Sequence, residues 1–181
     1  MSFLARTKTM LASLILRQRV LNRWVHKHLP TKRLAACVLF FDEEDRLLIL
    51  RTTYRQGWVL PGGIVERNES PWIGAAREVK EEIGLDVNNL RFAAMDWRST
   101  DDEYDDSLHF VFLGGRLTPE QQAAIQPDGF EIAEHRFAMI DEAEALLEHH
   151  LLRRSRPFLK PAETADRPLI LNRGERDELA S

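Results

Sequence analysis

One stretch of the chain, Ser70 to Gly84, constrains its fold more than any other. Ser70 is a strong N-cap residue, Pro71 suits the first helical position, and Gly84 stands just past a helix end. These signals predict a helix over Ser70–Ile83. Each residue advances about 100° around the helix axis. Trp72, Ala76, Val79 and Ile83 then share one side, which reads as the core face. Glu78, Glu81 and Glu82 fall within about 100° of one another on the opposite side. At i, i+3 and i+4 they are surface neighbours, and like charges so placed cost a few tenths of a kcal/mol per pair. They also sit toward the helix C-terminus, where the dipole disfavours anions. Three carboxylates held against both penalties are what a hard divalent cation would offset. Mg²⁺ takes oxygen ligands, keeps several waters and is usually shared with substrate phosphates. On geometry alone, a solvated acidic face is the alternative.

The surrounding pattern alternates strands and helices. Leu34–Phe41 is nearly all apolar, and Arg46–Leu50 follows a turn-like acidic tetrad, which reads as a hairpin. Trp58-Val59-Leu60 is a short strand that ends at Pro61-Gly62-Gly63, a strong break. Further strands are expected at Leu90–Trp97, Leu108–Leu113 and His135–Ile140. Short helices are expected after Thr118, where Gln121 completes a capping box, after Asp141, and over Leu151–Lys160. Pro168–Leu171 could add an edge strand. The 181 residues divide into a basic extension over 1–33, a domain over 34–160 and a polar tail over 161–181. That length can bury a core without staples. A single cysteine, Cys37, excludes an internal disulfide framework and any multi-cysteine zinc site, and it reads as an inert buried thiol. No apolar run approaches the roughly 20 residues of a membrane-spanning helix. The composition reads as a soluble cytoplasmic protein.

The net charge of −4 hides a split. Residues 1–33 hold eight Lys or Arg and no acid, whereas the remaining 148 residues carry a net −12. Met10, Leu11, Leu14, Val20, Leu21 and Trp24 recur at spacings of three and four, which predicts an amphipathic helix from about Ser2 to His28. A membrane-surface contact, an Arg-rich targeting peptide and contact with a partner or nucleic acid compete as readings of this segment. Set against them is a helix packed on the domain or pairing two copies in a homodimer. No nucleic acid is expected as a partner of the whole chain. The acidic run Asp101–Asp106 reads as a solvated hairpin loop. His149-His150 reads as a surface pair.

Gly63, Glu69, Arg77-Glu78-Val79, Glu81-Glu82 and Gly84-Leu85 together resemble the Nudix box, G-x5-E-x7-R-E-U-x-E-E-x-G-U with U apolar. All nine defined positions match across 23 residues. The resemblance implies a Nudix-type α/β/α sandwich with a mixed sheet, running from about Leu34 to Leu147. It implies Mg²⁺-dependent hydrolysis, with Mn²⁺ as an alternative metal, of a diphosphate bond in a nucleoside diphosphate linked to another moiety. A nucleoside triphosphate or nucleotide sugar leads as substrate, and a Nudix-fold sensor that binds a nucleotide without cleaving it is the alternative.

Carried over by position, Glu78, Glu81 and Glu82 are implied metal ligands, with the Gly62 carbonyl facing the metal. Gly63, Glu69, Arg77 and Gly84 are implied supports of the box, Arg77 and Glu69 as an ion pair. Glu78, Glu81 or Glu131, from a later loop, carries the catalysis, and Asp128 and Glu134 rival Glu131 as the base. Arg51 resembles a phosphate-contacting arginine. Asn68 replaces a glycine common before the box glutamate, and asparagine tolerates the left-handed backbone needed there. The box marks the family and leaves the substrate open. No proline lies about fifteen residues past Leu85, as an ADP-ribose enzyme would suggest, and Tyr104 fits the dinucleoside polyphosphate group imperfectly.

Overall fold

The computed structural model describes residues 31–99, 106–159 and 168–176, with Gln18, Leu21, Asn22, Trp24, Val25 and Leu29 from a separate N-terminal unit. In that unit Gln18, Leu21, Asn22, Trp24 and Val25 are helical, and the Leu29 amide donates to the Val25 carbonyl at 3.1 Å. The rest of the amphipathic helix expected over Ser2–His28 lies outside the described residues. So do Tyr104 and all of the acidic run except Asp106, which pairs with Lys32 at 2.6 Å.

The main unit is a mixed sheet with helices on both faces. Its strands are β1 (Arg33–Phe41), β2 (Leu47–Thr52), β3 (Trp58–Val59), β4 (Gly62–Ile64) and β5 (Arg91–Arg98), then β6 (Ser107–Arg116), β7 (Ile132–Ala138), β8 (Leu169–Asn172) and β9 (Glu175–Arg176). Helix α1 (Pro71–Ile83) carries the box, and α2 (Pro119–Ala123), α3 (Ile140–Leu146) and α4 (His149–Ser155) follow. The strands run in the order β3-β2-β1-β6-β5-β8-β9, with β4 also on β1 and β7 also on β2. The β1–β6 and β5–β8 pairs are parallel. The segment read as a polar tail thus adds β8 and β9 to the sheet.

The long apolar run of β1 has a direct cause. Alternate residues of a strand point to opposite faces, so a central strand covered on both sides must be apolar throughout. Cys37, Leu39 and Phe41 enter one core with Leu47, Ile49 and Leu147. Ala36, Val38 and Phe40 enter the other with Ala75, Val79 and Ile83 of α1.

Helix α1 begins and ends on side-chain and backbone caps. Ser70 Oγ accepts from the Ile73 amide at 3.3 Å, and the Gly84 amide donates to the Lys80 carbonyl at 3.0 Å. Its core stripe is rotated from the one expected. Gly74, Ala75, Val79, Glu82 and Ile83 face inward, while Trp72 is 38% exposed. The rotation carries Glu82 off the solvated side and into the protein.

Candidate active site

The box is assembled on the turn before α1. The strand pair β1–β2 holds register only at Phe41↔Leu47, and β4 pairs with β1 where Cys37 meets Gly62 and Ala36 meets Gly63. Gly62 has φ +133°, and a Cβ there would lie 2.2 Å from the Ala36 carbonyl oxygen. Only glycine permits this approach of backbone to backbone.

Two carboxylates of α1 converge on that turn. Glu82 is 7% exposed, and its Oε2 accepts from the Gly62 amide at 2.8 Å. The Glu78 carboxylate fills the space beside Gly63, where a Cβ would fall 2.6 Å from its Cδ. Burial pushes Glu82 up to about 8 despite the Gly62 amide, and the charges of Glu78, Glu131 and Asp128 add to the rise. Burial also raises Glu78, with Glu81 and Glu131 adding like charge and Arg77 opposing them. Three acids therefore bear on the buried Glu82 carboxylate, and the donor set is all oxygen, which is the chemistry of a hard cation's seat.

Arg77 is the hub of this arrangement. It binds Glu69 through Nε at 3.0 Å and Nη2 at 3.1 Å, and Nη2 also donates to the Ile64 carbonyl at 3.0 Å. Nη1 reaches Glu78 at 2.9 Å and Glu81 at 2.8 Å. This pairing holds Glu69 below the usual carboxylate range. It also draws Glu78 and Glu81 toward the guanidinium. Among the described residues, no three acidic, histidine or cysteine groups stand close enough to hold a metal ion as they lie. The loop between Glu69 and the glycines turns through Asn68, whose φ is +66°.

The later loop returns to the helix end. The Asp128 amide donates to the Glu82 carbonyl at 3.1 Å, and the Thr53 amide donates to the Glu131 carbonyl at 2.9 Å. Burial works against the Asp128 carboxylate, but the amides of Ile132, Glu131 and Phe130 hold it below its ordinary value. Asp128 is thus occupied in shaping the loop, whereas Glu131 is exposed and acts on Glu78 and Glu82 through its charge. Glu134 lies across β2–β7 from Arg51. The two form a two-pronged ion pair, with Nε to Oε1 at 3.0 Å and Nη2 to Oε2 at 3.1 Å, both side chains nearly half exposed.

Beside the turn lies a cleft of about 150 Å³. Gly62, Gly63 and Glu82 line it together with Thr52, His109 and Arg154. His150, expected at the surface, also lines it. Burial lowers the His109 pKa to about 3 and that of His150 to about 4, with neighbouring arginines adding to both shifts. Sequence reasoning singled out neither His109 nor Arg154. A lone histidine in a strand and the second of two adjacent arginines carry no local signal, and only the fold brings them to the box.

The chain resembles known proteins in sequence and in fold. A diphosphoinositol polyphosphate phosphohydrolase 2 from Rattus norvegicus is 45% identical over 56 residues, 30% of this chain and 31% of the relative. A MutT-like protein from Streptomyces ambofaciens is 49% identical over 58 residues, 32% of this chain and 38% of the relative. The match therefore spans about a third of the length of each of these relatives. Among solved structures, the NUDIX domain of Shewanella oneidensis NrtR, complexed with ADP ribose, superposes with a TM-score of 0.59. It covers 70% of this chain and 86% of that one at 15% identity, a likeness of fold. A model of the NUDIX domain matches residues 31–160, and the chain belongs to that family.

Proposed function

We propose that the chain hydrolyses a diphosphate bond in a nucleoside diphosphate joined to another group, with Mg²⁺ or Mn²⁺ as the metal. The observation that carries this reading is the turn at Gly62-Gly63, which receives the carboxylates of Glu82 and Glu78 from successive turns of one helix. Glu78, Glu81 and Glu82, with the Gly62 carbonyl, would hold the cation. Bound there, a divalent cation neutralises phosphate charge and lowers the pKa of an attacking water. Glu78 and Glu81 would first have to turn away from Arg77, which keeps Glu69 and the Ile64 carbonyl as partners. Glu131 is exposed, its charge bears on Glu78 and Glu82, and it is the group we assign to take the water's proton, with Glu78 its rival. Arg51 would reach a phosphate only by releasing Glu134. Two similar proteins support a diphosphate substrate, one named for diphosphoinositol polyphosphate and one solved with ADP ribose.

The test is a panel of nucleoside triphosphates, nucleotide sugars and dinucleoside polyphosphates with Mg²⁺, followed by phosphate release after a coupled phosphatase. Turnover of one class by the protein, abolished in Glu78→Gln, is the expected result. Tight metal-dependent binding without turnover would move the chain to the sensor reading. Residues 1–33 are proposed as a basic extension that contacts an anionic membrane surface. Equal pelleting on anionic vesicles of the full chain and a chain starting at Thr31 would sink that idea. Among the described residues no helix is long and apolar enough to cross a membrane.

A further inference from the structure

A second hollow, of about 300 Å³, adjoins the cleft and differs from it in charge. Arg33 and Ala35 of β1, Ile64 of β4, Arg98 of β5, and Ser107 and His109 of β6 line it. Ala35 and His109 also line the cleft, so the two spaces meet there. Strand register explains the arrangement. Residues paired across neighbouring strands share a face of the sheet, and each second residue along a strand returns to that face. Cys37 pairs with Gly62, Ala35 pairs with Ile64 and His109, and Ser107 pairs with Arg33 on one side and Arg98 on the other. Three rows therefore follow one another on one face. They lead from the glycine turn, through Ala35 and His109, to a row of two arginines around a serine. Successive rows lie about 7 Å apart, and the two arginine backbones are separated by roughly 10 Å.

The charge of the last row is not balanced as it is in the cleft. In the cleft, Asp96 offsets Arg154 at 2.9 Å and Glu148 offsets Arg55 at 2.8 Å. Among the described residues, no acid lines the second hollow. Asp106, the residue before Ser107, is held by Lys32 at 2.6 Å. The Arg98 side chain is half-buried and has no ion pair or hydrogen bond among the described residues. The charges of Arg98 and Arg33 both bear on His109, which places them within electrostatic reach of the passage between the two spaces. Arginine presents a planar fork of donors that matches the oxygens of a phosphate. A neutral sugar could accept single hydrogen bonds here but would leave both charges without a counterion.

We infer that this arginine row is a subsite for a phosphoryl group that the substrate carries beyond the diphosphate held at the cation seat. Arg98 donates to its oxygens, and Arg33 adds favourable charge. The inference rests on the reading of Gly62, Gly63 and Glu82 as that seat. It favours a substrate with three or more phosphates over one whose second group is an unphosphorylated sugar.

Linear inorganic phosphates of two, three and four phosphoryl groups test this without any base or sugar. Each is titrated into the full chain by calorimetry at matched free Mg²⁺. The shortest can fill only the seat, whereas a longer chain extends toward the arginine row. The three- or four-membered chain is expected to bind about tenfold more tightly than diphosphate, the worth of one charge-assisted contact. In Arg98→Gln that advantage is expected to fall toward one. In Arg91→Gln, at the other end of β5, it is expected to persist. Arg98→Lys keeps the charge without the fork and serves if the glutamine variant does not fold; a reduced advantage is expected there. Inorganic phosphate added beside diphosphate is not expected to reproduce the gain, because an untethered ion loses its own translational freedom. A full gain from the free ion would overturn the assignment to the substrate. No binding of any chain, equal binding of all three, an advantage unchanged in the Arg98 variants, or an equal fall in Arg91→Gln would each overturn the subsite. An Arg98-dependent advantage without turnover of any nucleotide in the panel would sink only the proposed activity. Turnover without the advantage would sink only the subsite.

Discussion

Gly63 and Glu78 share one volume: the carboxylate of Glu78 occupies the space where a side chain at position 63 would begin, with both oxygens 2.7 Å from an ideal Cβ. Gly63→Ala would therefore displace the end of a flexible side chain and leave the backbone in place. The expected outcome is a melting temperature close to that of the unmodified chain with at least about a tenfold loss of metal-dependent activity, near 1.4 kcal/mol. Gly62→Ala should behave differently, because its Cβ would meet the Ala36 carbonyl oxygen at φ +133°. That variant should lose about 2 kcal/mol or more of stability. Equal melting of the two would contradict the distinction.

Arg77 joins the loop to the helix through five hydrogen bonds to Glu69, Ile64, Glu78 and Glu81. Lysine at that position keeps the charge but cannot reach all of these acceptors from a single head. Arg77→Lys should lower stability by about 2 kcal/mol, a drop of roughly 4–8 °C in melting temperature. A calorimetric scan that shows no shift would mean the hub is dispensable.

Metal loading should be visible in the melting temperature without any substrate. A cation that binds only the folded chain adds about 2.7 kcal/mol at a hundred times its Kd. Mg²⁺ should raise the transition by several degrees, and EDTA should reverse it. In Glu82→Gln the buried side chain can no longer ionise while an oxygen remains for the Gly62 amide, so the metal-free protein should melt no lower. Its response to Mg²⁺ should vanish. A full metal shift in that variant would remove Glu82 from the ligand set.

Acid should destabilise the fold partly through His109. Burial and nearby arginines lower its pKa from 6.5 to about 3 in the folded chain. Between those values the unfolded state binds a proton that the folded state does not, so stability rises with pH there and is lost as pH falls. The slope from this one group is at most about 1.4 kcal/mol per pH unit. Urea midpoints from pH 7.5 to 4.5 should fall less steeply in His109→Gln than in the unmodified chain. Parallel curves would show that the imidazole titrates normally.

Much of the fold was legible because local chemistry and global position agree. Ser70, Pro71 and Gly84 mark α1 whatever surrounds it, and the unbroken apolar run of β1 follows from cores on both faces. The face that α1 buries was less legible. Trp72 fits a helical stripe by spacing, but Gly74 packs under Glu69 and Val65 of the loop before the helix and Ala75 enters the core, and with that face buried Glu82 turns inward. Arg154 was not legible at all. It stands next to Arg153, which pairs at the surface with Glu175, and its own partner Asp96 lies 58 residues away in sequence.

Asp96 gives one oxygen to Arg154 and the other to the Gly174 amide, while β8 runs alongside β5 at the same residue. A preparation that has lost β8 and β9 would therefore retain every residue of the box and still lose its hold on the cleft. Once the C-terminal fragment departs, Asp96 is left with a bare oxygen and Arg154 with a less firmly seated anchor. Sample integrity at the C-terminus then becomes as telling as any box mutation when activities of different preparations disagree.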